Sequence, residues 1–156
     1  MPGPAGDARR SGGETSPPIY PMALATGQFT LDADHDAMVR KTSGAPQRKD
    51  FDAHPIFGFI AALGGLGMPI EAVFARCGGS IQAGPLLASS SLRFARPLKI
   101  GITYQVAGVV EGVTRKPSRR FGAADHLRLS INVRDGDLLY SNLDLTIVLP
   151  VGARHE

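Results

Sequence analysis

Cysteine is almost absent: of 156 residues only Cys77 carries a thiol. That excludes a disulfide framework and fits a reducing compartment. With no base beside it in sequence, Cys77 reads as a small buried side chain near a helix end rather than a nucleophile. Long apolar runs are missing too. No window reaches the roughly 18 apolar residues a membrane span needs. The first residues hold no apolar signal core, so a cytoplasmic chain without membrane contact is expected. No block of Lys and Arg with interleaved aromatics appears, which argues against nucleic acid. No Cys, His or Asp group has metal-ligand spacing, and no glycine-rich phosphate loop or dinucleotide fingerprint occurs. No metal and no cofactor are expected.

What remains is ordinary for one globular domain: 43% hydrophobic and 20% charged residues. The net charge of +3 gives a mildly basic chain suited to an anionic small molecule. Many of the 19 glycines and 12 prolines fall early in the chain. Residues 1–27 have no period and too little apolar surface to repay ordering, so they read as a disordered or loosely pinned tail, tied down around Ile19–Leu24. Residues 151–156 read as a second tail. The domain is expected over 28–150.

Within it, a short helix is predicted near Asp34–Thr42, capped by Asp32 or Asp34 and stopped by Gly44. "HPIFGFIAALGGLG" predicts a helix opening at Pro55, where the missing N–H costs nothing. It is apolar nearly all round, so it should be buried. Gly64, Gly65 and Gly67 make sense where a second backbone crosses closely or the helix ends. "MPIEAVFARC" is a second short helix starting at Pro69. The period then changes to two. Leu127, Leu129, Ile131 and Val133 face one way, Asp135-Gly136 turns the chain, and Leu143, Leu145, Ile147 and Leu149 answer on the return strand. The fold class is α+β: a curved antiparallel sheet wrapped around one central helix, the hotdog arrangement.

Four stretches, in order, carry a resemblance: "HPIFGF", "LRFARPLKIGITYQV", "TRKPSRRFGAADHLRL" and "LDLTIVLP". They resemble a PTF helix opening, an F-x-RP-L-x-x-G-x-x-Y strand pair, a basic K-x-x-R-x-G-x-x-D turn and the final strand of the MaoC-like hydratase/dehydratase hotdog family. The likeness covers roughly residues 28–150. It is nearest to the N-terminal half of two-domain enoyl-thioester hydratases and to separate subunits equivalent to that half. It implies reversible hydration of 2-enoyl or dehydration of 3-hydroxyacyl thioesters, on coenzyme A or acyl carrier protein. It also implies pairing as a double hotdog, a hetero- or homodimer or a heterotetramer.

The family's catalytic signature is Asp-x-Asn-Pro-x-His. Here the nearest string is Asp52-Ala53-His54-Pro55-Ile56-Phe57, with His at the Asn position and Phe at the His position. In the half-domains it resembles, that loop is absent and the partner half holds the acid/base pair. The resemblance therefore implies a subunit that shapes the acyl tunnel while a partner brings Asp and His. Asp52 and His54 carry two readings: a local catalytic pair, or an N-cap for the helix at Pro55 beside a boundary histidine. Phe57, Phe59, Leu63 and Leu66 are tunnel or core candidates. Gly58 is the position where a helix-start N–H meets a thioester oxygen or where helix and sheet approach closely. Arg115, Lys116, Arg119 and Arg120 are either a solvated loop or a phosphate and carrier site, with Asp125 pairing to Arg119 or Arg120. Arg93, Arg96 and Lys99 share those alternatives. An acyl-CoA-binding hotdog without chemistry is the third reading.

Overall fold

The computed structural model describes residues 17–151. Most of the expected N-terminal tail and five of the last six residues therefore lie outside the described residues. Six strands form one antiparallel sheet in the order β1-β4-β5-β6-β3, with β2 also paired to β4. They are β1 Met22–Ala23, β2 Gly27–Thr30, β3 Leu86–Phe94, β4 Thr103–Ser118, β5 Gly122–Asp135 and β6 Leu138–Val151. Among the described residues, three α-helices, α1 Ala33–Ser43, α2 Phe57–Gly64 and α3 Ile70–Arg76, and a short 3-10 turn at Ile81–Ala83 lie between β2 and β3 in sequence. No helix among the described residues is long and apolar enough to cross a membrane.

The long strands form because their apolar residues alternate. Leu127, Leu129, Ile131 and Val133 on β5 and Leu143, Leu145, Ile147 and Leu149 on β6 are all buried on the inner face. On β4, Tyr104, Val106 and Val110 are buried, so the alternation holds as far as Val110. A bulge between Val110 and Gly112 then shifts it. Gly136, with φ at 57°, closes the β5–β6 hairpin where the Asp-Gly pair foretold it. The sheet curls around α2, whose Phe57, Gly58, Ala61 and Ala62 are buried against it. That is the hotdog fold.

Two expectations are corrected. The helix expected at Pro55 begins at Phe57, because Phe57 and Gly58 donate to the carbonyls of His54 and Pro55 in a tight preliminary turn. It is buried on one face only: Ile56 and Ile60 stay exposed. Within the Ile19–Leu24 stretch, β1 pairs Met22 with Val110 and Leu24 is buried in the core. The strand β6 continues through Pro150 to Val151. The glycine cluster finds its reason. A Cβ on Gly27 would sit 2.0 Å from the Gly65 carbonyl oxygen, and one on Gly67 2.2 Å from that of Ala25. Two backbones cross there with no room for a side chain.

Candidate functional site

The loop from Ala45 to Ile56 is held from beneath by a buried ion pair. On α1, Asp32 caps the first turn by accepting from the His35 N–H at 2.8 Å. One turn on, Asp36 and Arg40 pair at 2.8 Å, with side chains only 7% and 5% exposed. Each remaining polar atom has work. Arg40 donates to the Pro46 and Asp52 carbonyls, both at 3.1 Å, and Asp36 Oδ1 accepts from the His54 N–H at 2.6 Å. A desolvated pair is tolerated where its other lone pairs and protons are satisfied in this way. It fixes the backbone on both sides of Ala53.

Asp52 and His54 do not meet each other. The Asp52 carboxylate is bound by the Lys99 ammonium and lies 3.8 Å from Arg48, which also pairs with Asp50. His54 Nδ1 accepts from the Ile56 N–H at 3.1 Å. The cap on this turn is therefore His54, and the expectation that Asp52 caps it is corrected. An imidazole whose Nδ1 accepts an amide proton carries its own proton on Nε2. In this arrangement His54 donates from Nε2 and has no free lone pair with which to take a proton.

His54 lines a cleft of 290 Å³ together with Ala53, Pro55, Phe94, Pro97 and Arg96. Behind Ala95 and Arg96 lies a bulge on β6, where Tyr140 is the extra residue between the pairs Val133–Ser141 and Arg134–Leu139. The Tyr140 carbonyl accepts from Ala95 at 2.9 Å and Arg96 at 3.3 Å, and its ring carries the Arg96 guanidinium 5.5 Å from its centroid. The ring meets Tyr104 edge-on at 4.9 Å. The Tyr104 hydroxyl accepts from the Lys99 N–H at 2.6 Å and donates to its carbonyl at 3.3 Å. Burial pushes this phenol up to about 12. Gly58 sits under Phe94: a Cβ there would lie 2.6 Å from the ring.

The remaining candidates separate. Phe57 is core. Phe59 and Leu63 line a second, apolar groove of 280 Å³ with Ile70, Phe74, Leu86 and Ile147. Leu66 packs towards Leu24 and Gly108 instead. The helix-start N–H groups of Phe57, Gly58 and Phe59 all bond the carbonyls three residues back, so none is open to a thioester oxygen in this conformation.

At the β4–β5 tip, Arg115 forms a two-pronged pair with Asp125 across the strands, at 2.9 and 3.1 Å. The hydrogen bonds it donates to that carboxylate, and then the carboxylate's charge, hold the guanidinium above its ordinary range. Asp125 thus pairs with Arg115, not Arg119 or Arg120. Lys116, Arg119 and Arg120 are exposed and carry no carboxylate partner among the described residues. Sequence reasoning missed Asp36, Arg40 and Tyr140 as architects of the site. An Asp-x-x-x-Arg spacing on one helix was the available signal for the first two.

No family model matches the chain, and no curated protein matches its sequence. Solved structures do. The ChsH1-ChsH2 complex from Mycobacterium tuberculosis is similar at 15% identity, over 84% of this chain and 86% of that one, with a TM-score of 0.62. The HadBC (3R-hydroxyacyl-ACP dehydratase) complex from the same organism aligns at 14% identity, over 81% and 94%, with a TM-score of 0.60. A MaoC-like dehydratase from Phytophthora capsici aligns at 16% identity over 88% of this chain, with a TM-score of 0.62. This chain spans 50% of that one. At these identities the likeness establishes the hotdog fold.

Proposed function

We propose that the chain is one subunit of an acyl-thioester hydratase or dehydratase, shaping the acyl tunnel while a partner hotdog subunit supplies the acid/base pair. One observation carries the reading: the loop that resembles the catalytic signature holds both its ionisable groups in other bonds. Asp52 is clamped by Lys99, and the His54 lone pair is occupied by the Ile56 amide. Hydration of a 2-enoyl thioester needs a base to take a proton from water as its oxygen joins the β-carbon, and an acid to protonate the α-carbon. As they stand the two do not form an acid/base pair: His54 has no free lone pair with which to act as the base, and Asp52 is held by Lys99.

The surface supports the partner. Strand β3 is an open edge, and Leu86 and Leu87 on it are 46% and 55% exposed. Ile60 of α2 is exposed as well, and exposed apolar side chains on a bare edge strand suit edge-to-edge pairing with a second hotdog. Two of the similar structures are complexes of two named subunits. In this reading the acyl chain lies in the groove of Phe59 and Leu63. Lys116, Arg119 and Arg120 take phosphate from coenzyme A or a carrier arm. Ile147 in the groove pairs with Leu127, five residues from Gly122 at the tip, roughly 17 Å of strand. The chemistry is acid–base, calls for no cofactor, and suits a cytoplasmic enzyme.

The test is hydration of crotonyl-CoA by the purified chain alone and after mixing with hotdog proteins that bear the full Asp-x-Asn-Pro-x-His signature. Activity only with a partner supports the reading. Activity of the chain alone, lost in His54→Ala, replaces it with a homodimeric enzyme using Asp52 and His54. Acyl-CoA binding without turnover in any mixture replaces it with a binding protein.

A further inference from the structure

The cleft at His54 is a different place from the acyl groove, and its side-chain chemistry is one-sided. Its two polar side chains, His54 and Arg96, are both donors: the imidazole through Nε2–H, the guanidinium through its edge. The Arg96 face is taken by the Tyr140 ring, which leaves the N–H fork free to turn into the cleft. No carboxylate pairs with Arg96 among the described residues. The nearest acid in sequence, Asp52, does not line the cleft and is held by Lys99. Asp36, the other acid behind the loop, is committed to Arg40 and to the His54 backbone. The walls are Pro55, Phe94, Pro97 and Leu98.

We infer that this cleft binds an oxyanion carried on a flat apolar body, with Arg96 and His54 on the oxygens and Phe94 and Pro97 against the body. The 290 Å³ of space lies at the small end of ligand pockets, about 300–1,000 Å³. That is room for a single ring with one acidic group. Donors alone select carboxylate or phosphate over amines and alcohols that need an acceptor. Gly58 bears on the shape of the cleft, because a Cβ there would lie 2.6 Å from the Phe94 ring and displace it. The inference stands independently of the hydratase reading.

The experiment is a titration of the full chain, isotope-labelled, with sodium benzoate, phenyl phosphate and inorganic phosphate, following the His54 Nε2–H and Arg96 Nε–H resonances by NMR. Saturable shifts at both side chains with benzoate or phenyl phosphate are expected. Inorganic phosphate should bind at least fivefold more weakly for want of the ring. Arg96→Met, which keeps the stem over Tyr140, should weaken the better aromatic probe at least fivefold. Gly58→Ala, which touches neither donor, should do the same by displacing the Phe94 ring from the wall it forms. Benzoate binding alone names a carboxylate, and phenyl phosphate alone a phosphate ester. Failure of both aromatic probes to saturate, or a smaller loss in Arg96→Met, overturns the site.

Discussion

The two edges of this sheet are finished in opposite ways. At one edge, β1 and β2 are only 2 and 4 residues long, and both lie on β4. The chain around them is locked down: Gly67 donates to the Ala25 carbonyl at 3.2 Å, and Leu31 and Gly101 bond across the next turn. Gly27 presses its backbone on Gly65, and the Asp36–Arg40 pair pins the loop beyond. At the other edge, β3 runs 9 residues with hardly a buried side chain. Short, covered edges do not recruit other chains, whereas a long bare one does. One molecule thus shows a closed edge that belongs to folding and an open edge that, in the proposed function, is left for a partner.

The sharpest way to break the closed edge is Arg40→Met. It strands a buried carboxylate and drops two carbonyl contacts, so a loss of about 3–5 kcal/mol is expected in urea unfolding. The double variant Asp36→Leu/Arg40→Met should be more stable than Arg40→Met, since no charge is then left unpaired. If the single variant costs no more than a surface substitution, the pair does not anchor the loop. Next comes Gly27→Ala. The methyl would meet the Gly65 carbonyl and the Gly67 nitrogen, backbone atoms that cannot swing away. Overpacking of this kind costs about 1–3 kcal/mol. Gly136→Ala makes the contrast, because nothing stands within 4 Å of it and only its positive φ is strained.

How far these features were legible differs by element. The strands were plain, because Leu127 to Val133 and Leu143 to Leu149 alternate without a break and the Asp-Gly turn fixes their register. The glycine cluster correctly announced a close backbone crossing. Helix α1 misled. It buries Asp36 and Arg40 while leaving Met38 63% exposed, the reverse of what hydrophobic patterning expects. A charged pair on a polar helix reads as solvated surface until tertiary structure places a loop over it. Asp52-x-His54 misled in another way. The spacing looks catalytic, yet which atom of His54 is free depends on the Ile56 amide, a backbone detail no composition reveals. The bulge that turns Tyr140 inward left no trace in the strand pattern either.

A smaller effect on the closed edge concerns pH. Tyr104, paired in register with Phe29 of β2, is held by burial at about 12 against an ordinary 10.0. A group whose folded value is raised contributes stability that is complete below its unfolded value. That contribution is lost as pH rises through the folded one. Stability should therefore fall between about pH 10 and 12, followed by urea midpoints across that range. Tyr20, raised to about 12 chiefly by burial, adds to the same slope. Tyr104→Phe should flatten the fall without abolishing it, and cost about 1 kcal/mol at neutral pH for the bonds to Lys99. An unchanged alkaline slope in that variant would mean the phenol is not held as the geometry requires.

The least effect on folding should come from the open edge. Leu87 is more than half exposed and pairs in register with Ile147 from the outer strand, so Leu87→Lys removes little that the isolated subunit has buried. A change within about 0.5 kcal/mol is expected. A lysine on a bare edge is, however, one of the devices by which natural sheets refuse neighbours. Association should then weaken at least tenfold, read by sedimentation velocity across a dilution series of the chain with its partner. The same substitution at a closed edge could not separate the two quantities, because there folding and edge protection use the same contacts. Should Leu87→Lys unfold the subunit while leaving association of the folded fraction intact, β3 is an internal element of stability, and the partner binds elsewhere.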